Sequence, residues 1–209
     1  MSVTELMRAN KVVPVIVIDK AADAPQLART FVAAGVRSIE ITLRTAAGLE
    51  AIHRTIAEVP EIAVGAGTVT TLDELRVVRA AGVKFVVSPG CTPSLLAEAK
   101  AMGIPYLPGV VTPSELMMAA ETGLTCLKFF PAEVSGGAPM LKAWSAVFPH
   151  IAMVPTGGID TRNAADYFAV PTVAAIGCSW VAPAKMIAEH AWDQIKERCE
   201  QMMALAPKK

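Results

Sequence analysis

A single lysine stands inside an apolar run, Leu127-Lys128-Phe129-Phe130-Pro131. Taking an ammonium out of water costs solvation free energy, so an apolar setting favours the neutral amine. A neutral amine attacks ketones to form a Schiff base, and the protonated imine then withdraws electrons from the neighbouring carbon–carbon bond. The structural alternative is that Lys128 lays its methylenes on apolar neighbours and carries its charge to water at a strand end.

A second group lies upstream in Ser38-Ile39-Glu40-Ile41-Thr42-Leu43-Arg44. Strand residues two apart share a face, so Glu40, Thr42 and Arg44 point one way while Ile39, Ile41 and Leu43 point the other. A carboxylate suited to proton transfer and a guanidinium suited to a planar carboxylate thus line one surface. An internal Glu40–Arg44 ion pair would satisfy both groups without catalysis. By the same alternation Cys126, Lys128 and Phe130 share a face, with Leu127 and Phe129 opposite. Two other lysines are the rivals of Lys128: Lys84 starts a strand and sits at its wrong end, and Lys20 falls in a turn where water keeps it charged.

Two turns suit an anion. Pro155-Thr156-Gly157-Gly158-Ile159-Asp160 and Gly177-Cys178-Ser179 each follow an apolar stretch. Glycines let backbone N–H groups approach a phosphate closely, although glycine pairs in turns are often only turns. Gly65-Ala66-Gly67-Thr68 lacks the third glycine of a dinucleotide fingerprint. Its small residues permit a ligand or neighbouring strand to approach, with Thr68 as a possible donor.

These residues need a scaffold, and the chain repeats one. Strands are expected at Val12–Ile18, Ser38–Leu43, Ala63–Thr68, Phe85–Ser88, Tyr106–Val110, Cys126–Phe130, Ala152–Pro155 and Val173–Gly177, each followed by a segment of helical character. Helix starts are expected at Asp23, at Thr70 or Thr71, at Thr92-Pro93 and at Thr112-Pro113, and helix ends at Gly35, Gly82, Gly103 and Gly123. Eight strand–helix units in 209 residues predict one (β/α)₈ barrel spanning residues 1–209, with a helix at about Ser2–Asn10 covering its floor. In such a barrel the chemistry sits at the carboxyl ends of the strands, with a phosphate site after strands seven and eight. An open doubly wound sheet is the competing architecture, but the first turn, Asp19-Lys20-Ala21-Ala22, is not glycine-rich.

Composition removes other classes. The chain is 53% hydrophobic and 18% charged with a formal net charge of zero, so it can bury a substantial core and offers no basic footprint for nucleic acid. The start, Met1-Ser2-Val3-Thr4-Glu5-Leu6, has neither a charged leader nor an apolar core, and no apolar run has the length of a membrane span. A cytoplasmic location is expected. Cys91, Cys126, Cys178 and Cys199 show no CxxC spacing and His53, His150 and His190 no HxxxH pair, so neither a zinc site nor a disulfide framework is expected.

Taken together, Val12-Val13-Pro14-Val15-Ile16, Gly35-Val36-Arg37 with Glu40 and Leu43-Arg44-Thr45, Gly65-Ala66-Gly67-Thr68-Val69, Ser88-Pro89-Gly90, Lys128 to Glu133, Pro155 to Ile159, and Ser179-Trp180 carry a resemblance over essentially the whole chain. It resembles the class I aldolases that cleave 2-keto-3-deoxy-6-phosphogluconate and 2-keto-4-hydroxyglutarate. The resemblance implies Lys128 as the Schiff-base lysine and Glu40 as the general acid/base, acting directly or through a water. It implies Arg44 and Thr68 at the pyruvate carboxylate, Pro89 and Phe130 as pocket walls beside Thr156, and Gly157, Gly158, Cys178 and Ser179 at the phosphate. It also implies a homotrimer, no metal, no organic cofactor and a place in the Entner–Doudoroff route. One departure stands out: the family usually reads Gly-Gly-Ser-Trp where this chain has Gly177-Cys178-Ser179-Trp180. A Cβ at position 178 is expected to crowd a phosphate or to forbid a positive φ. The alternatives are an aldolase for the galactonate epimer, a phosphate-binding barrel of another reaction class, and a non-catalytic sugar-phosphate binding protein.

Overall fold

The computed structural model describes residues 2–207. Helix α1 (Val3–Asn10) opens on a reciprocal cap in which Ser2 Oγ accepts from the Glu5 N–H and the Glu5 carboxylate accepts from the Ser2 N–H. The strands are β1 (Val12–Ile16), β2 (Ser38–Thr42), β3 (Ala63–Gly67), β4 (Phe85–Val87), β5 (Tyr106–Leu107), β6 (Gly109–Val110), β7 (Cys126–Phe129), β8 (Ala152–Pro155) and β9 (Ile176–Cys178). Between them run α2 (Ala24–Ala33), α3 (Gly48–Glu58), α4 (Leu72–Ala80), α5 (Pro93–Ala101), α6 (Pro113–Glu121), α7 (Gly137–Val147) and α8 (Ala164–Phe168), and α9 (Ala184–Ala188) and α10 (Trp192–Leu205) follow β9.

Every strand pairing is parallel. One sheet has the order β5-β4-β3-β2-β1-β9 and a second the order β6-β7-β8. The first strand thus pairs with both the second and the last, which a doubly wound sheet does not do. The expected fifth strand is two short ones, because Pro108 between β5 and β6 has no N–H for the ladder. Its carbonyl still accepts from Lys128 N–H at 2.9 Å. From β8, Met153 reaches Thr172 and Ala174 by backbone hydrogen bonds of 2.8 and 2.9 Å, and Thr156 pairs with Gly177.

β2, β3, β4 and β7 each end one residue before expectation, and the first and last strands differ by two residues or more. β1 stops at Ile16, since past the ladder the Ile16 and Ile18 carbonyls accept side-chain hydroxyls from Thr42 and Thr45. The last strand begins at Ile176, where pairing with Val12 starts, because the Val173 N–H turns back to the Val170 carbonyl and Val173 and Ala174 meet β8 only through an isolated bridge at Met153.

Helix signals held where hydroxyls cap: Thr71, Thr92 and Thr112 each accept from an N–H in the first turn of α4, α5 and α6. Asp23 makes no such bond, because a short 3₁₀ turn, Ala21–Asp23, precedes α2. Gly35, Gly82, Gly103 and Gly123 all have positive φ after their helices.

Alternation divides the core into two layers. Ile39, Ile41, Leu127 and Phe129 join the large apolar layer beneath the helices, where Phe129 meets Trp144 edge-on at 5.3 Å. The inward-facing Val13, Phe85, Val87, Leu107, Cys126, Ala152 and Val154 form a separate cluster closed by Val3, Leu6 and Met7 of α1. The leading helix therefore seals the amino end of the strands, and the opposite end is left for chemistry.

Candidate active site

Lys128 sits on β7 with its alkyl chain directed to the inner face, and it is 3% exposed. Its Nζ lies 3.6 Å from Glu40 Oε1, and both side chains are 4% exposed. The lysine is therefore not in a purely apolar setting: a buried carboxylate is its partner. The expected alternative of a Glu40–Arg44 ion pair is not what forms. Arg44 is exposed and its Nε donates instead to Thr68 Oγ1 at 3.3 Å. The reason is height on the sheet, since Glu40 lies within β2 while Arg44 lies beyond its end.

Small residues on β3 make the pair possible. Glu40 and Gly65 are register partners, as are Thr42 and Gly67. A Cβ at Gly67 would fall on the Glu40 carboxylate, and one at Gly65 would fall on the Phe85 ring. The close approach expected of Gly65-Ala66-Gly67 is thus made by Phe85 and by Glu40. Thr68, next in the chain, has φ of 61°, a conformation that costs a non-glycine residue about 1–3 kcal/mol.

Phe130 links the lysine to the glycine turn. Its ring centroid is 4.9 Å from Lys128 Nζ, and its Cε2 is 3.5 Å from where a Cβ on Gly157 would stand. Gly157 and Gly158 have φ of 105° and 80°, values that L side chains avoid. Thr156 is buried at the end of β8, and its hydroxyl occupies the space that Gly177 leaves by lacking a Cβ. Pro89 is exposed just beyond β4, and its carbonyl packs where Gly109 lacks a side chain. Lys20 and Lys84 are both exposed.

Cys178 departs from its expected effect. It is the last residue of β9 rather than part of a following turn, it is absent from the residues with positive φ, and it is 1% exposed. Its Sγ lies 3.4 Å from the Ile159 carbonyl within the layer under the helices. Burial pushes the thiol up to about 11. Strand alternation explains this, since Gly177 faces inward and Cys178 outward. The side chain does not crowd the mouth, where Ser179 is exposed.

Two residues given no role from the sequence enter here. Asn163 Nδ2 donates to the Gly158 carbonyl at 3.0 Å and to the Glu133 carboxylate. Its place just before α8, three residues after Asp160, is the local signal that could have found it.

Among the described residues, no group of three or more His, Cys, Asp or Glu is placed to hold a metal ion. Among the same described residues, no helix is long and apolar enough to cross a membrane.

Comparison with known proteins gives the family and the fold. A relative from Pseudomonas aeruginosa named 2-dehydro-3-deoxy-phosphogluconate aldolase is 45% identical over 191 residues, 91% of this chain and 87% of its own length. One from Escherichia coli K12 named KHG/KDPG aldolase is 43% identical, covering 93% of this chain and 91% of its own. The crystal structure of KDPG aldolase from Legionella pneumophila, with pyruvate captured at low pH as a covalent carbinolamine intermediate, superposes with a TM-score of 0.93 at 42% identity over 98% of each chain. The family model for KDPG and KHG aldolase matches residues 3–198. This chain belongs to the KDPG and KHG aldolase family.

Proposed function

We propose that the protein is a class I aldolase, a carbon–carbon lyase that splits 2-keto-3-deoxy-6-phosphogluconate into pyruvate and glyceraldehyde 3-phosphate through a Schiff base on Lys128. The observation that carries this reading is the buried amine of Lys128 with one carboxylate 3.6 Å away. The ammonium can pass a proton to Glu40, leaving a neutral amine that attacks C2 of the keto acid. Glu40 gives that proton to the carbinolamine hydroxyl, which leaves as water, so the protonated imine forms and Glu40 is again a carboxylate. Glu40 then removes the proton of the C4 hydroxyl, directly or through a water, and the C3–C4 electron pair moves into the imine to leave an enamine. Glyceraldehyde 3-phosphate departs, the enamine is protonated at C3, and hydrolysis returns pyruvate and the free lysine. One carboxylate suffices because the proton it takes is the proton it returns.

Arg44, with Thr68 beside it, holds the carboxylate end of the substrate. Pro89, Phe130 and Thr156 wall the pocket. The backbone at Gly157, Gly158, Cys178 and Ser179 receives the phosphate, with the Cys178 side chain taking no part. The relative named KHG/KDPG aldolase supports 2-keto-4-hydroxyglutarate as a second substrate. Residues 1–209 form one domain in which the two sheets are halves of a single eight-stranded barrel, parted at Pro108. The pairing of β1 with β9 and the contacts from β8 to residues 172–177 support closure. Family membership supports a homotrimer working in the cytoplasm on a small keto acid, without metal or organic cofactor.

Borohydride reduction in the presence of pyruvate, followed by intact mass and peptide mapping, tests the reading. One reduced pyruvyl group on Lys128, lost together with cleavage in Lys128→Ala, is expected. Labelling at Lys20, or full activity in the alanine variant, overturns it.

A further inference from the structure

The Gly157-Gly158 turn is held from behind by a network that contains neither Lys128 nor Glu40. Backbone bonds tie it to the segment after β7: Ala132 N–H donates to the Thr156 carbonyl at 2.8 Å and Glu133 N–H to the Gly157 carbonyl at 3.1 Å. On its other side the amide of Asn163 works in both directions. Oδ1 accepts from Asp160 N–H at 2.9 Å, while Nδ2 donates to the Gly158 carbonyl at 3.0 Å and to the Glu133 carboxylate. The fit is close, because a Cβ on Gly158 would stand 2.6 Å from Glu133 Cβ. Glu133 lies five residues beyond Lys128 on the same segment. The side chains of Glu133 and Asn163 therefore connect the segment after the reacting lysine's strand to the turn after the neighbouring strand, β8.

We propose that Asn163, acting through Glu133, is a positioning residue that sets the spacing between the glycine turn and Lys128, and so makes the phosphate count toward turnover. The proposal rests on the reading of Gly157 and Gly158 as the phosphate turn. A phosphate far from the breaking bond contributes to rate only if its site is rigidly placed relative to the reacting atoms. Asn163 supplies that rigidity because one planar group holds a carbonyl of the turn, an N–H beyond it and a carboxylate of the lysine's segment. An aspartate there would keep the acceptor for Asp160 N–H but lose the donor, and it would face two acceptors instead.

The test measures kcat and KM for Asn163→Asp and Asn163→Ser with 2-keto-3-deoxy-6-phosphogluconate and with unphosphorylated 2-keto-4-hydroxyglutarate, alongside borohydride labelling with pyruvate. The expected result is a fall in kcat for the phosphorylated substrate on the order of 10–100-fold. Turnover of the unphosphorylated substrate and labelling of Lys128 should stay within about twofold, which also reports that the barrel has folded. Combining Asn163→Asp with Glu133→Gln restores a donor between the two side chains and should recover part of the loss, as residues in one network couple. Equal losses on both substrates, or no loss on either, overturn the proposal. The unaltered enzyme tests the underlying reading separately: if it does not distinguish the substrates by their phosphate, the phosphate turn itself is refuted and this inference falls with it.

Discussion

Glu40 and Lys128 come from strands on different sheets, and their charged ends meet 3.6 Å apart with both side chains only 4% exposed. Such a pair is a weak source of net stability, because desolvating both ions offsets most of their attraction. It is a good arrangement for moving a proton between carboxylate and amine. Gly67 provides the room for it, at the cost of a strand position without a side chain.

Replacing Glu40 by Gln keeps the volume but removes the base. Turnover should fall by about 10²–10⁴-fold, the usual contribution of general acid–base catalysis, while borohydride labelling of Lys128 by pyruvate falls less than cleavage does. A lower thermal midpoint with turnover intact would assign the pair to structure alone.

Removing the phosphate from the substrate should lower kcat/KM by several orders of magnitude, because remote binding energy then no longer positions the C3–C4 bond. Pyruvate labelling involves no phosphate and should be unaffected. Steady-state kinetics with the matched pair of substrates decide this, and equal kcat/KM values would point to a hydroxyglutarate-type aldolase on the same scaffold.

Cys178→Gly restores the residue that the family usually has, yet it should not improve use of the phosphorylated substrate, since the thiol lies under the helices against Ile159. The variant loses a buried side chain and gains backbone freedom, a loss of about 1–2 kcal/mol. That corresponds to a fall in thermal midpoint of about 2–4 °C per kcal/mol for a chain of this size. A gain in kcat/KM confined to phosphorylated substrate would contradict the outward placement.

Two helix caps should mark the acid limb of stability. Burial alone would raise Glu74, but hydrogen bonds from Thr70 and Thr71 outweigh it and hold its carboxyl below the ordinary 4.5. Glu115 is lowered likewise, burial being outweighed by bonds from Val111 and Thr112. A lowered carboxylate binds protons more readily in the unfolded chain, so its contribution is complete above the unfolded value and disappears as pH falls through the folded one. Glu74→Gln and Glu115→Gln should therefore lower the thermal midpoint at pH 7, and the difference from the unaltered protein should close below about pH 4.5. A difference that persists at pH 3 would show that the charge is not what stabilises the caps.

Local order determined much of this protein. Alternation on single strands was enough to place Glu40 and Lys128 on inner faces and Leu127 and Phe129 on outer ones, because a side chain's face depends only on its own strand. Threonine caps and positive-φ glycines were legible for the same reason. Tertiary structure decided what each group meets. Whether Glu40 would pair with Arg44 or with Lys128 depended on the curl that brings β2 opposite β7, and a sequence does not print distances between strands of different sheets. The turning of Cys178 away from the mouth depended on where pairing with β1 starts the last strand. The clamp of Asn163 on Gly158 and Glu133 joins side chains thirty residues apart, and only the pairing of β7 with β8 makes them neighbours.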